Sequence, residues 1–442
     1  MKAIMRDKAE LKDSGIDGVG TIPYSWEINR VHSLFDEISE RYEQNIDNEL
    51  PLLSVSEYYG VASRASKIKE DEILIRAETL DGYKKCKKGD IVSNIMLAWK
   101  CSLGRSPIDG IVSPAYCVYR PRKNVNSKFY HYLFRTKTYG DIFKVNSTGL
   151  IESRLRLYTP KFYVLNVPIP SFDEQNAIAH YLDDRCSKID TIITEAKASI
   201  EEYQELKQAV IYEAITKGLD KSIPMKYSGN IHIKDIPLNW NLVNLKYLLT
   251  DIVDCPHETP NYEVDGSFYV IRTADEDLGF LRSDDNMYRL NEEEYKNRIR
   301  RLSLNKDDIV YGREGERWGL ACLVPENDKY CLGQRMMQFR CDTKIVEPRF
   351  LMWALNSQGT RMQGVVDTIG STSPHVNIST IRNFQIPCPS IEEQRKIAKY
   401  IDDRTFNIDS IISEKQSLIA DLEAYKKSLI YEVVTGKRKV VA

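Results

Sequence analysis

"VPIPSFDEQNAIAHYLDDR" (residues 167–185) recurs as "IPCPSIEEQRKIAKYIDDR" at residues 386–404. An ungapped alignment at an offset of 219 residues keeps 22 identities in the 50 columns that begin at residue 167. A second echo lies upstream, where "DSGIDGVGTIPYSW" ends at Trp26 and "YSGNIHIKDIPLNW" ends at Trp240. The 442-residue chain therefore consists of two homologous halves, each with a variable domain followed by a repeated segment.

The repeated segment predicts a long helix with a well-defined start. Ser171 precedes Glu174 by three residues, which is the spacing of a capping box, and prolines stand just upstream. No proline or glycine follows until Gly218 in the first copy and Gly436 in the second, so each helix spans about 45 residues, or roughly 65 Å. The expected start residues of the two helices are Ser171, Glu174, Gln175, Ser390, Glu393 and Gln394.

Apolar residues recur along both helices at steps of three, four and seven, which is typical of a coiled-coil seam. The predicted seam residues are Ile178, Leu182, Ile189, Ile192, Ala196, Tyr203, Leu206 and Val210, and then Ile397, Ile401, Ile408, Ile411, Leu418, Leu422, Tyr425 and Leu429. Each helix leaves a different domain, so pairing the seams requires antiparallel helices between two unlike heads, as in a dumbbell. The alternative is that each helix packs on its own domain as an ordinary amphipathic helix.

The variable domains contain short runs such as "DIVSNIML" and "CLGQRMMQFRC" that are bounded by Gly, Asp and Pro, which indicates strands. The predicted fold class is α+β, with two mixed α/β heads joined by two long antiparallel coiled-coil helices and a pseudo-twofold internal repeat. The predicted boundaries are a first head at 1–170, a helix at 171–218, a second head at 219–388 and a helix at 389–442.

The composition of the chain bears on its partners, its location and possible metal sites. The net charge of −2 and pI near 6.4 give no global sign of a nucleic-acid partner. There is no apolar run of about 18 residues and no basic-then-apolar leader, so we expect a cytoplasmic protein without a membrane partner. The nine cysteines are scattered without a C-x-x-C, and the six histidines form no H-x-x-x-H, so we expect free thiols and no metal site.

A search for catalytic motifs finds little. The sequence contains no phosphate-binding loop, no dinucleotide fingerprint, no nucleophile elbow and no zinc-protease motif. It also lacks the Asn/Asp-Pro-Pro-Tyr tetrapeptide of adenine aminomethyltransferases. Carboxylate pairs such as Asp307–Asp308 and Glu314–Glu316 are interpreted as solvated turn acids. We therefore expect no catalytic residue in this chain.

The doubled P-x-P-S-x-x-E-Q-x-x-I-A-x-Y-[LI]-D-D-R, the I-P-x-x-W that opens each half and the divergent heads resemble the DNA-specificity subunit of type I restriction–modification systems. The resemblance covers nearly the whole chain. It implies that each head is a target-recognition domain that reads one half of a bipartite site in double-stranded DNA. The helices would set the gap between the half-sites and dock the methyltransferase subunits.

The same resemblance implies the partners. Two adenine-N6 methyltransferase subunits would use S-adenosylmethionine, and endonuclease subunits with translocase activity would use ATP and Mg²⁺. These subunits would carry the chemistry, including the flipping of the target adenine, and this chain would bind no cofactor.

Local charge differs between the heads. Residues 21–170 contain 22 Lys and Arg against 17 Asp and Glu, whereas residues 235–388 contain 18 against 23. Phosphate attraction supplies much of DNA affinity, so the second head is expected to concentrate its cations on one face or to borrow them from partners. The first helix has ten acids and five bases between Ser171 and Lys217, which favours solvent or a protein partner over DNA.

Base-reading side chains are expected on polar loops at matched places in the two heads. Plain Ser/Thr loops and, for Arg313, a surface ion pair with Glu314 or Glu316 remain alternatives. Gln334 and Arg335 are added as residues of an exposed strand face, and Trp26 and Trp240 are assigned to packing. The DNA-binding candidates are Ser54, Ser56, Asn94, Lys100, Ser147, Thr148, Arg154, Arg156, Arg272, Thr273, Arg313, Arg317, Gln334, Arg335, Ser371, Thr372 and His375.

Three rival functions stay open. A coiled-coil scaffold with protein-binding heads would bind no DNA. A nuclease or methyltransferase with an unrecognised site would be active alone. The specificity chain of a related system with a fused methyltransferase–nuclease would share the same two-headed architecture.

Overall fold

A computed structural model of the protein describes residues 1–43, 48–66, 79–368 and 374–441. The chain divides into two compact units, of which unit 1 comprises Met1–Ala196 with Ser417–Ala442 and unit 2 comprises Lys197–Gln416. Each unit holds one head, the start of the long helix that follows that head and the end of the other long helix. No helix within the described residues is both long and apolar enough to cross a membrane.

The first half of the chain builds a head and the first long helix. Its strands are β1 (Lys2–Met5), β2 (Leu11–Asp13), β3 (Thr21–Pro23), β4 (Glu27–Arg30), β5 (Phe35–Ile38), β6 (Leu53–Ser56), β7 (Gly60–Ser63), β8 (Lys84–Cys86), β9 (Ile91–Asn94), β10 (Leu103–Arg105), β11 (Gly110–Val112), β12 (Tyr116–Pro121) and β13 (Asn166–Ile169). Its α-helices are α1 (Ser127–Phe134), α2 (Lys137–Asn146), α3 (Thr159–Tyr163) and α4 (Phe172–Lys217).

The second half repeats this plan. Its strands are β14 (Met225–Tyr227), β15 (Asp235–Pro237), β16 (Asn241–Asn244), β17 (Leu249–Asp254), β18 (Phe268–Ile271), β19 (Glu276–Asp277), β20 (Phe280–Leu281), β21 (Tyr288–Leu290), β22 (Ile309–Gly312), β23 (Ala321–Leu323), β24 (Tyr330–Leu332), β25 (Met336–Cys341), β26 (Gln385–Cys388) and β27 (Arg438–Val441). Its α-helices are α5 (Glu292–Arg298), α6 (Pro348–Asn356), α7 (Gln358–Arg361), α8 (Val365–Thr368), α9 (Ile378–Arg382) and α10 (Ile391–Val434).

Each head is organised around a four-stranded antiparallel sheet. The strand order is β5-β12-β9-β10 in unit 1 and β17-β25-β22-β23 in unit 2. These strands correspond one to one along the chain, and the pairs β4–β13 and β16–β26 correspond as well. The repeat therefore extends through the heads, where the sequence preserves only traces of it. The predicted α+β class with mixed heads and two long helices is confirmed.

The heads differ in what is added to this sheet. Unit 1 adds the two-stranded pairs β6–β7 and β8–β11. Unit 2 adds a three-stranded sheet in the order β21-β18-β24, in which β18 and β24 are parallel, together with the β19–β20 pair. The common sheet thus carries different additions in each head.

The long helices begin where the sequence predicts, but only half of each capping box forms. The Ser171 hydroxyl accepts a hydrogen bond from the Glu174 backbone N–H (3.3 Å). The Ser390 hydroxyl accepts one from the Glu393 N–H (3.4 Å). The two glutamate carboxylates do not turn back to the serine N–H, because each is engaged by a tryptophan.

Those tryptophans are the ones that open the two halves, and both are buried. The Trp26 indole N–H donates to the Glu174 carboxylate at 2.9 Å. The Trp240 indole N–H donates to the Glu393 carboxylate at 3.1 Å. The assignment of both tryptophans to packing is confirmed. Each one also ties the entry of its head to the start of the helix that follows the head.

The ends of the long helices lie against the same tryptophans. Gly436 ends α10 with φ of 73°, and a Cβ there would lie 3.0 Å from the Trp26 ring and 2.4 Å from Pro23. Gly218 ends α4 with φ of 65°, and a Cβ there would lie 3.0 Å from the Trp240 ring. In each unit the end of one long helix therefore meets the start of the other, so the two segments run antiparallel.

The repeat forms the same ion pair in both units. Lys426 donates to the Asp190 carboxylate at 2.6 Å in unit 1. Lys207 donates to the Asp409 carboxylate at 2.7 Å in unit 2. At the offset of 219 residues, Asp190 corresponds to Asp409 and Lys207 corresponds to Lys426. The two helices thus exchange roles between the units, as a pseudo-twofold repeat requires.

The predicted seam is partly wrong. Leu182, Ile189, Ile401, Ile408 and Leu429 are buried. Tyr203, Val210, Ile411 and Leu422 are half-buried, whereas Ile192, Leu206 and Leu418 are exposed.

The deviation follows from a second packing partner. In unit 1, the helix residues Leu182, Ile189 and Ile193 share one apolar core with head residues such as Phe129 and with Leu429 of α10. A helix that packs against a head and against another helix buries a different face from one that packs against a helix alone. Neighbouring residues point about 100° apart around the helix, so Ile193 is buried here and Ile192 is not. Packing on the head and helix pairing therefore occur together.

We expect Asp409→Ala to destabilise the protein by about 1–3 kcal/mol, because the Lys207 side chain is only 10% exposed and would lose its carboxylate. Chemical denaturation measures the change. Glu414→Ala, which removes an exposed acid from the same helix, is the matched control. Adding Lys207→Met to Asp409→Ala should recover most of the loss. Equal stability of the Asp409 and Glu414 variants would contradict the pairing.

Candidate nucleic-acid interface

The glycine-rich turn after β22 holds Arg313 inside a network of acids. Arg313 is 9% exposed. Its Nη2 donates to the Glu314 carboxylate, and its Nε lies 3.8 Å from Asp254 Oδ1. The alternative of an ion pair with Glu314 is therefore what the structure shows, although the pair is buried and not on the surface. Arg313 supports this turn and is not a free side chain.

Backbone hydrogen bonds draw three candidate segments of unit 2 together around Arg313. Its N–H donates to the Arg335 carbonyl (2.9 Å), and its carbonyl accepts from the Val376 N–H (3.2 Å). The Gly315 N–H donates to the Pro374 carbonyl (2.8 Å). Segments 311–319, 334–335 and 374–376 therefore form one surface. Ser371 and Thr372 lie outside the described residues.

Arg335 is the candidate of this surface with the most accessible charge. It lies on the turn between β24 and β25, not on a strand face, with φ of 69°. Its side chain is 54% exposed, and its Nε is 4.0 Å from Glu314 Oε2. His375 is exposed beside it. An exposed guanidinium on a rigid turn suits contacts with guanine or phosphate.

Gln334 joins a fourth segment to the same surface. Its amide donates to the Thr259 hydroxyl (2.9 Å) and to the His257 carbonyl (3.3 Å). The His257 ring nitrogen lies 3.1 Å from Asp254. Sequence analysis missed His257 and Thr259, because "CPHETP" has no counterpart in the first half and no recognisable motif.

Two other arginine candidates of unit 2 are engaged inside the head. Arg272 makes two hydrogen bonds to Asp275 (2.8 and 2.7 Å) and stacks on Tyr288, 3.8 Å from the ring centroid. Arg317 donates to the Glu276 carbonyl. Thr273 is half-buried between them. These guanidiniums shape the candidate loops and are less available than Arg335.

The buried acids of the heads repeat as well. Asp308 is 3% exposed and accepts from Arg340 at 2.8 Å, so its interpretation as a solvated turn acid is wrong. Asp90 is 2% exposed and accepts from Arg120 at 3.0 Å. Each pair closes the turn that precedes the central strand β9 or β22. Part of the acidic charge of the second head is thus neutralised inside it.

Ionisable groups in the core of unit 2 favour their neutral forms. Burial raises the pKa of the Glu276 carboxyl well above its usual value, and Arg317 offsets only part of that effect. Burial likewise raises the pKa of the neighbouring Cys322 thiol. The nine cysteines are free thiols. Among the residues that the structure describes, no cluster of His, Cys, Asp and Glu could hold a metal ion.

In unit 1, the hairpin β6–β7 presents Ser54 and Ser56. The Ser54 hydroxyl lies 2.9 Å from the Tyr59 hydroxyl, and the Ser56 hydroxyl accepts from the Tyr58 N–H (3.2 Å). The Arg135 guanidinium donates to the carbonyls of Ser56 (3.2 Å) and Tyr58 (3.1 Å), which clamps the hairpin from below. The hairpin is therefore held in a defined conformation.

The segment after β9 contributes one accessible residue and one that is buried. Asn94 is 4% exposed, and its side chain accepts from the Met96 N–H, so it shapes the turn and its assignment as a DNA contact is wrong. Lys100 is exposed, with Nζ 5.3 Å from the centroid of the Trp99 ring. Lys144 approaches the same ring at 5.1 Å.

The loop after α2 carries the remaining candidates. Ser147 donates to the Phe143 carbonyl, which ends the helix. Thr148 and Arg154 are exposed, whereas Arg156 is half-buried and donates to the Leu155 carbonyl. The Leu157 N–H donates to the Ile95 carbonyl (2.9 Å), which joins this loop to the segment after β9.

The chain is similar to several known proteins over most of its length. A family model described as "Type I restriction modification DNA specificity domain" matches residues 260–420. The chain is 24% identical over 439 residues to the type I restriction enzyme MjaVIII specificity subunit of Methanocaldococcus jannaschii, covering 95% of this chain and 94% of the relative. Over nearly its whole length, the chain is similar to type I restriction–modification DNA-specificity subunits.

Further relatives and solved structures show the same similarity. The StySPI specificity subunit of Salmonella potsdam is 20% identical over 95% of this chain and 90% of its own length. A chain solved in work on complex assembly and conformational transition of the type I R-M system superposes with a TM-score of 0.68 at 17% identity, over 94% of this chain and 99% of that chain. The HsdS subunit from Thermoanaerobacter tengcongensis superposes with a TM-score of 0.56 at 16% identity, over 96% of this chain and 99% of that chain. These neighbours share the fold.

We expect Arg313→Ala to lower the stability of unit 2 by about 1–3 kcal/mol, because the side chains of Asp254 and Glu314 are only 14% and 24% exposed and would lose their cation. Arg335→Ala should change stability by less than about 0.5 kcal/mol. Thermal melting and hydrogen exchange of segment 311–319 distinguish the two variants. Similar effects of both changes would contradict the assigned roles.

Proposed function

We propose that this chain is the non-catalytic specificity subunit of a type I restriction–modification complex and that each head reads one half of a bipartite DNA site. The single observation that carries this proposal is a duplicated scaffold with unlike heads. The same four-stranded sheet is built twice, and different polar loops are mounted on it. A reader of an asymmetric site needs the same support twice and different contacts at each half.

The distribution of cations supports a DNA-facing loop cluster even in the acidic second head. Arg272, Arg313 and Arg340 are engaged by buried acids. The exposed Arg335 is left at the rim, where the candidate segments converge. A head can therefore be acidic in total and still offer a cationic contact at one place.

A second duplicated feature lies where each head meets its own long helix. In unit 1, Asp183 of α4 accepts from Lys128 and from the Tyr132 hydroxyl (2.9 Å). In unit 2, Asp402 of α10 pairs with Arg349 and accepts from the Trp353 indole (2.8 Å). Because Asp402 is the repeat of Asp183 at the offset of 219 residues, the same helix face is oriented identically on each head.

On the opposite side of each long helix from Asp183 and Asp402, identical residues repeat at the surface. Ile192 is exposed and its repeat Ile411 is half-buried, and the exposed Glu195 is repeated as the exposed Glu414. Apolar side chains kept at the surface in both copies favour a protein contact made twice. These faces are our proposed docking sites for two identical adenine-N6 methyltransferase subunits.

The remaining chemistry is assigned to the partners. Methyl transfer from S-adenosylmethionine and ATP- and Mg²⁺-dependent translocation and cleavage would take place in the methyltransferase and endonuclease subunits. The long helices would set the gap between the half-sites, since a rigid spacer converts protein length into base-pair spacing. A subunit that acts on chromosomal DNA works in the cytoplasm.

The reader role predicts a specific methylation map. Cells with this chain and its methyltransferase should carry N6-methyladenine in a bipartite motif with a fixed gap, and the motif should vanish when only this chain is deleted. Arg335→Ala should relax one half-site by about 1–3 kcal/mol of discrimination. Arg382→Ala, an exposed arginine of the same unit, should leave the motif unchanged. An unaltered map on deletion, with an active methyltransferase, would favour the protein-binding scaffold.

Duplicated docking predicts a stepwise loss of partner. Ile192→Lys and Ile411→Lys should each reduce the number of bound methyltransferase subunits from two to one, and the double variant should bind none. Native mass spectrometry of the assembled complex counts the subunits. Phe406→Ser is the matched control, because Phe406 is 74% exposed but corresponds to Ser187 in the other copy.

Since Ile411 is half-buried, melting curves must show that each variant is folded. Glu195→Lys and Glu414→Lys supply a second pair on fully exposed positions. Loss of both subunits from a single substitution would contradict two independent sites.

A further inference from the structure

The loop between α2 and α3 in unit 1 presents apolar side chains to solvent. Leu150 has a relative exposure of 103%, and Ile151 has 54%. Val145, near the end of α2, is 85% exposed. Exposed apolar residues scattered singly are ordinary, but three within seven residues at one loop indicate a contact with another molecule.

The loop is built and does not leave these side chains free to fold back. Thr148 and Arg156 exchange both backbone hydrogen bonds, at 2.8 and 2.9 Å. Gly149 has φ of 149°, and a Cβ there would lie 2.6 Å from the Arg154 carbonyl oxygen. Leu155 is buried and anchors the far side of the loop. Leu150 and the adjacent Ile151 therefore occupy the tip of a closed loop.

Cations lie within the loop and at its base. Arg154 is exposed within the loop, and Lys144 stands at its base in an ion pair with Glu152. Lys100 lies near Lys144, because their Nζ atoms are 5.3 and 5.1 Å from the centroid of the Trp99 ring. Between residues 144 and 156 there are three cations and one acid. An apolar tip with cations nearby is complementary to double-stranded DNA, which has charged phosphates outside and stacked apolar bases inside.

We infer that Leu150 and Ile151 form an apolar wedge that enters the DNA at a base step of the half-site bound by the first head. This inference rests on the proposed function and deepens it. Apolar side chains placed between base pairs unstack a step and bend the duplex, while neighbouring cations hold the phosphates. DNA fits this tip better than a protein partner does, because Arg154 is exposed in the same loop and residues 144–156 contain three cations against one acid.

With such a wedge, binding to the first half-site depends on how easily the DNA at that step can be unstacked and bent. Pyrimidine–purine steps unstack most easily, so such a step is expected beneath the loop. The corresponding stretch of the second half, residues 368–380, is rich in Ser and Thr. Unstacking is therefore expected at one half-site only.

The experiment uses the full chain assembled with its methyltransferase subunits and duplexes that carry 2-aminopurine at successive positions of both half-sites. Outside the target adenines, which the methyltransferase subunits are expected to flip, the wild-type complex should raise the fluorescence several-fold at one step of one half-site. The double variant Leu150→Ala with Ile151→Ala should abolish that rise and weaken specific binding by about tenfold or more. The salt dependence of binding should not change, because no phosphate contact is removed. Ile108→Ala, another exposed apolar position of unit 1, should behave as wild type.

Each other outcome has a defined meaning. Specific binding by the wild-type complex without any fluorescence rise would overturn the wedge and leave the reader function intact. Loss of methyltransferase from the double variant would also overturn it, since the loop would then contact protein. Failure of the wild-type complex to prefer any site would overturn the proposed function itself. Unchanged melting of the double variant, expected for exposed side chains, rules out misfolding as the cause of weaker binding.

Discussion

The hydrogen bond from a tryptophan indole to the glutamate at a helix start organises each unit of this protein. Trp26 lies at the start of the first head and donates a hydrogen bond to Glu174 at the start of α4. Its ring also packs against Gly436 at the end of α10. One buried aromatic side chain thus fixes the entry of the head, the start of one long helix and the end of the other. Trp240 does the same in unit 2. The direction of the long helices follows from this contact.

The duplication of the chain means that a contact between the long helices can occur once in each unit. Because the two helices are repeats of each other, a contact within one unit can recur in the other unit with the roles of the helices exchanged. The Asp190–Lys426 and Lys207–Asp409 pairs are the clearest case. A change that improved one contact before duplication would be present twice afterwards. The same relation orients Asp183 and Asp402 alike on the two heads.

The heads show how variable loops are supported by an unchanging frame. Most arginines that the sequence predicts as DNA contacts instead hold loops in place. A guanidinium has several hydrogen-bond donors, so one side chain can stabilise a whole turn. In the second head, for example, the Arg272 guanidinium donates to Asp275 and the Arg313 guanidinium donates to Glu314. The groups left at the surface are few and differ between heads. Surface loops can therefore differ between the heads while the sheet that supports them stays the same.

The sequence alone determined the two-half organisation, the long helices, their starts and ends and the resemblance to the family, because identity at a constant offset and helix signals are local properties of the chain. It did not determine which helix face is buried, since Ile192 and Ile193 differ only in their relation to the head packed beside them. It also did not show that Asn94 and Arg313 are buried or that Arg335 and Leu150 are exposed. Polar residues on a loop look alike in sequence, and only the three-dimensional neighbours decide whether a side chain closes a turn or remains available for a partner.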